Sequence, residues 1–261
     1  MPLKENLTSM EKLYKYTIEK GALSSVDIEE RAFFFSLGHV ANEINLLSKQ
    51  MVWCDDLSSE VDHMVKGQLT LSLFFYRTLA GKLNEANELI KKSFLSKKYS
   101  KVYVDLFDDK TRETLTSIKK YFGKSNIVNK IRNSHSFHYS AEDFTSNLDE
   151  LPDDLEIYLH KTQGNSLYYA SELLATYAMV KSCGESDFSK LFDNIVSELI
   201  SISKLILSFS YQFMSVFINE RHKSLNPNGL EELDLNGLID FKDVKIPWFV
   251  NIIENDSNEK T

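Results

Sequence analysis

The chain has 261 residues, 43% of them hydrophobic, and a formal net charge of −8, with only 4 Pro and 9 Gly. That apolar content supports a real core, the shortage of turn residues favours long helices over many short strands, and the negative charge argues against indiscriminate nucleic-acid binding. There is no uncharged apolar run of about 18 residues, the length a membrane span needs, and MPLKENLTSMEKLY at the start lacks a signal-peptide core.

The two cysteines, Cys54 and Cys183, form no metal motif and imply no disulfide framework. They are expected to be ordinary thiols in a reducing cytoplasm. The expected location is therefore cytoplasmic, with no membrane partner, no metal and no other cofactor.

In chain order, a first short helix is expected from Thr8 to Glu19, ending at Gly21. Asp27 to Glu30 has the spacing of a capping box. Phe33, Leu37, Val40, Ile44, Leu47 and Met51 then follow at intervals of 4, 3, 4, 3 and 4, one apolar face of a long helix. A longer helix is expected from Val61 to Phe94, with Leu69, Leu73 or Phe75, Leu79, Leu83, Ala86 and Ile90 inward. Asp109 to Phe122 reads as a shorter helix stopped by Gly123.

Asn126 to Ser136 is helical, with Ile127, Val128 and Ile131 as its stripe. Tyr139 to Pro152 is acidic and polar, hence loop. Leu155 to Leu159 alternates like a strand without an evident partner. Ser166 to Cys183 is helical and ends at Gly184. Asp187 to His222 is one helix of about 36 residues, or about 54 Å. After Pro227 the chain turns irregular, and Ile246 to Val250 is an apolar plug docked on the body. Residues 251–261 form a frayed tail. All four prolines lie outside these helices. Long helices with short connections indicate one helical-bundle domain over residues 1–250.

Reactive side chains concentrate at one place. Arg132 to Tyr139 holds a guanidinium, an amide, two imidazoles and a phenol within eight residues. Arg can grip a phosphate with a planar fork, and His moves protons near neutral pH. The approach is basic: residues 91–132 carry 12 Lys/Arg and 4 Asp/Glu, whereas residues 141–157 carry 7 Asp/Glu and no Lys or Arg. A local basic surface beside such a motif can attract phosphates even on an acidic protein.

Arg132-Asn133 followed by His138 resembles the R-x(4–6)-H pattern of the HEPN superfamily, with a polar residue directly after the Arg. Phe33 to Lys49 (FFFSLGHVANEINLLSK), Gln68 to Ile90 (QLTLSLFFYRTLAGKLNEANELI) and Ile246 to Phe249 resemble the helices and tail of a bacterial HEPN-like group. The resemblance covers roughly residues 25 to 250. It implies an all-α, HEPN-like bundle with long antiparallel helices and an irregular C-terminal tail. It also implies a metal-independent endoribonuclease leaving 2′,3′-cyclic phosphate ends, in bacterial defence or as a toxin.

Under that resemblance Arg132 binds and polarises the scissile phosphate, His138 serves as general base or acid, and Asn133 orients either group. His135, Tyr139 and Lys130 contact substrate. The partners implied are an RNA substrate, a second copy of the chain, and an antitoxin or regulatory protein. Six residues of regular helix turn about 600°, so Arg132 and His138 would point about 120° apart. Either the helix ends near His138, or two chains assemble one cleft. His135 is three residues from Arg132 and shares its face, which leaves open which imidazole is the base. The other reading is an inert HEPN-like dimer that binds RNA, nucleotide or a partner protein.

A homodimer is expected on a further ground: the apolar surface of the helices near 37–51 and 69–90 exceeds what one chain must bury. The aromatic runs Phe33 to Phe35, Phe74 to Tyr76 and Tyr168-Tyr169 are assigned to the core and dimer interface. Glu60 and His63 form one Glu-x-x-His unit, and a di-iron bundle needs two plus two further Glu. His39 and Glu43 are spaced to pair, with Glu43 as a candidate partner facing the motif. Gly81-Lys82 lacks the rest of a P-loop.

Overall fold

A computed structural model describes residues 13–54, 57–133, 144–184, 188–221, 230–233 and 239–251. Seven α-helices occur among them: α1 (Ile28–Cys54), α2 (Asp62–Ile90), α3 (Ser100–Leu106), α4 (Asp109–Phe122), α5 (Ile127–Asn133), α6 (Tyr169–Cys183) and α7 (Phe188–Arg221). One two-stranded antiparallel sheet pairs β1 (Leu13–Tyr16) with β2 (Leu230–Leu233), Leu13 opposite Leu233. The protein is mainly helical.

The expected first helix from Thr8 is not what forms over its described part. Leu13 to Tyr16 is strand, because its amides pair with a segment that follows it by more than 200 residues. Residues 8–12 lie outside the described set. Leu155 to Leu159 makes only an isolated bridge, Tyr158 to Leu167.

α1 and α2 form an antiparallel pair. Gln68 Nε2 and Ser72 Oγ donate to Cys54 O at 2.5 and 3.2 Å, while Lys82 Nζ meets Glu43 Oε1 at 2.5 Å toward the other end. The expected stripe of α1 points inward: Phe33, Leu37, Ile44, Leu47 and Met51 are buried, and Val40 is half-buried. Burial pushes the Cys54 thiol up to about 11.

α2 runs into a π-helical turn over Lys91–Leu95. Such a turn inserts one extra residue per hydrogen-bonded ring. Phe94, within it, is fully buried against Phe33, Phe209 and Phe213, with ring centroids 5.3 to 5.6 Å apart. These rings come from α1, α7 and the π turn, so that turn sits at the centre of the aromatic core.

α7 is the central helix. By length and composition residues 190–221 could cross a membrane. Here Leu199, Ile202, Ile206, Phe209, Phe213 and Phe217 all enter the core. Gly184, at φ +74°, ends α6 in the left-handed region. Gly123, by contrast, ends α4 at φ −76°, so no left-handed turn is used there.

The capping box is replaced by something larger. Asp27 Oδ1 does accept from Glu29 N at 2.8 Å. Glu30 instead turns into the body and is 2% exposed. Arg221 Nε and Nη2 donate to its two oxygens at 2.6 and 2.9 Å, and Tyr103 Oη donates to the same carboxylate. This clasp joins the start of α1, α3 and the end of α7, and holds Arg221 more firmly protonated than usual through its bond to Glu30.

The apolar plug docks as expected. Ile246 N donates to Trp53 O at 3.2 Å, Gln68 Nε2 donates to Ile246 O at 2.9 Å, and Asn165 and Val250 exchange two hydrogen bonds. A Cβ on Gly67 would lie 2.9 Å from Trp248 Cβ and 3.0 Å from Phe249. Gly67→Ala should therefore destabilise by up to about 2 kcal/mol: overpacking costs about 1–3 kcal/mol, against a helix gain of about 1 kcal/mol. Urea titration with tryptophan emission checks this. A red shift with a lower midpoint is expected, and an unchanged midpoint would mean the plug yields freely.

Candidate functional site

α5 is seven residues long, and its neighbours hold it on three sides. Asn126 begins it: Asn126 Oδ1 accepts from Asn129 N at 2.8 Å, and its side-chain amide donates to Lys124 O and Tyr121 O at 2.8 and 3.3 Å. Val128 and Ile131 are fully buried. Asn84 of α2 donates to Asn129 Oδ1 at 2.5 Å. Lys130 Nζ donates to Cys183 O, at the end of α6, at 3.0 Å. That cation satisfies an otherwise open helix-terminal carbonyl.

Helical geometry decides what remains. With Val128 and Ile131 inward and Asn129 and Lys130 engaged laterally, Arg132 and Asn133 project outward and are exposed. Arg132 Nη1 donates to Asn133 Oδ1 at 3.1 Å, and its Nη2 lies 3.5 Å from Glu85 Oε1. The side chains of Arg132 and Glu85 are 43% and 65% exposed. Pairs this open contribute about 0–1 kcal/mol. A phosphate could therefore displace Glu85 at little cost.

Of the sequence candidates, Arg132 and Asn133 share the exposed end of α5, while Lys130 is tied to α6. His135, His138 and Tyr139 lie outside the described residues. Glu43 meets Lys82, and His39 Nε2 lies 3.7 Å from the same Glu43 carboxylate. His63 lies tilted beside Tyr158 and edge-on to Phe249. Among the described residues no group of three or more His, Cys, Asp or Glu is placed to hold a metal.

Two participants escaped sequence reasoning. Glu85 and Asn84 sit on α2, 45 or more residues before their partners. Only a tertiary pairing reveals them, since Glu85 looks like any charge on a solvated helix face.

A second cluster braces the start of α2. Lys66 Nζ lies 2.5 Å from both Asp62 and Glu156, and Tyr158 Oη donates to Glu156 at 2.7 Å. The Lys66 ammonium holds both carboxyls below their usual range. A cavity of about 640 Å³ lies between α2 and α6, walled by Leu69, Leu73, Tyr169, Leu173 and Tyr177. Arg132 and Asn133 do not line it.

The aromatic runs divide as their helical positions require. Phe33, Phe34, Phe75 and Tyr76 are buried, whereas Phe35, Phe74 and Tyr168 are each more than half exposed. No family model, curated protein or solved structure matches the chain.

Proposed function

We propose that the protein is a HEPN-type, metal-independent endoribonuclease that acts as a homodimer. One observation carries the reading: Arg132 and Asn133 stand together on the solvent side of a firmly anchored helix, with Arg132 held, among the described residues, by a bond to Asn133 and an open pair to Glu85. Arg132 binds the scissile phosphate through its planar fork. His138 removes the ribose 2′-hydroxyl proton or protonates the leaving oxygen, and Asn133 orients one of these groups. The exposed Phe35 and Phe74 supply apolar area for the second copy. A defence or toxin role, with an antitoxin or regulatory partner, belongs to the same reading.

The test is cleavage of a mixed-sequence RNA in excess EDTA, with light scattering on the same sample. Fragments with 2′,3′-cyclic phosphate ends and about twice the 30.1 kDa chain mass are expected. Cleavage restored only by Mg²⁺ or Mn²⁺ would reject the mechanism. Binding without cleavage would favour an inert RNA-binding dimer.

A further inference from the structure

Acidic and basic groups are unevenly spread around α5. Glu113 is the last carboxylate before Glu142, so residues 114–141 carry no Asp or Glu. Within that stretch Lys119, Lys120 and Lys124 are exposed and make no ion pair among the described residues. Lysines just before it lie among carboxylates: Lys91 and Lys92 pair with Glu88 and Lys97 with Glu29, while the exposed Lys98, Lys101 and Lys110 are interspersed with Asp105, Asp108, Asp109 and Glu113. Glu198, the carboxylate packed at this joint, accepts from Tyr121 Oη at 2.7 Å.

The joint between α4 and α5 is rigidly built. Asn126 bonds the carbonyls of Tyr121 and Lys124, and Val128 N reaches Tyr121 Oη at 3.4 Å. Lys124 and Arg132 thus flank a single short helix about 10 Å long. The three lysines are exposed, and releasing counter-ions from a polyanion is their main route to interaction energy.

We infer that Lys119, Lys120 and Lys124 form a phosphate track that leads single-stranded RNA to Arg132, an inference that rests on the proposed nuclease reading for its ligand. The track binds backbone rather than bases, so it is indifferent to sequence. It supplies affinity, while Arg132 and its partners supply chemistry.

The test is fluorescence anisotropy of a labelled oligouridylate with the full chain, from low to moderate salt. For single strands the logarithmic salt slope is about −0.7 per neutralised phosphate, so three lysines contribute about 2. The triple variant Lys119→Gln/Lys120→Gln/Lys124→Gln should lose about that much slope. Lys98→Gln/Lys101→Gln/Lys110→Gln, equal in charge but set among Asp105, Asp109 and Glu113, should keep the wild-type slope. Exposed Lys→Gln changes leave helices intact, and circular dichroism checks that.

An unchanged slope in the first triple variant, or an equal loss in the second, would overturn the track. So would lysine-dependent binding of polyglutamate with none of RNA. Cleavage is measured in parallel. A wild type that binds through these lysines yet never cleaves would sink the nuclease reading and leave the track standing. A nuclease whose binding ignores them would do the reverse.

Discussion

Arg221→Ala should lower the unfolding free energy by about 3–5 kcal/mol, the cost of leaving a buried charge without its partner. The stranded group is Glu30, at 2% exposure. Arg221, whose side chain is 34% exposed, can still reach water if the carboxylate is removed instead. The two sides of the pair are therefore unequal. Glu30→Gln should cost only about 1–2 kcal/mol, the difference between charged and neutral hydrogen bonds. Placing Glu30→Gln in the Arg221→Ala background should recover part of the loss. Urea denaturation followed by circular dichroism measures all three. Equal costs for the single changes, or no recovery in the double, would mean that water already reaches the carboxylate.

His138→Ala should reduce RNA cleavage by about 10²–10⁴, the usual contribution of a positioned acid–base group, and Arg132→Ala by about 10²–10³, the cost of removing one donor aimed at developing charge. Folding and assembly should be unaffected, because Arg132 is exposed and its ion pair is weak. Arg132→Lys should fail as well, since an ammonium cannot reproduce the guanidinium fork. His135→Ala should lose less. Purified variants are compared on one RNA, with light scattering as the control. Cleavage at the wild-type level in both alanine variants would remove the motif from the mechanism. Loss in His135→Ala alone would move the general base to that residue.

The helices were legible because their signal is local. Leu37, Ile44 and Leu47 recur at helical spacing and are buried, and Ile127 to Asn133 is helical as its stripe implies. Two misreadings share one cause, a partner far away in sequence. Leu13 to Tyr16 becomes strand only because Leu230 to Leu233 lies beside it. Glu30 has the spacing of a cap, but Arg221, 191 residues later, captures it. At the site, Arg132 was legible as a residue type at the end of a helix. Its contact with Glu85 was not, because nothing in α2 marks that glutamate among its neighbours.

The β1–β2 pairing also has a consequence in time. Lys15 and Glu231, which face each other across it at 2.9 Å, are 216 residues apart. At roughly 5–20 residues per second, a ribosome needs about 10–40 s to deliver the second strand after the first. Throughout that interval β1 has no ladder to join, while α1 and α2 can already pack. Closing so long a loop costs about 5 kcal/mol in chain entropy, and a two-stranded ribbon alone is marginal in water. The sheet is thus a late seal, set only after the helices have brought its two strands together.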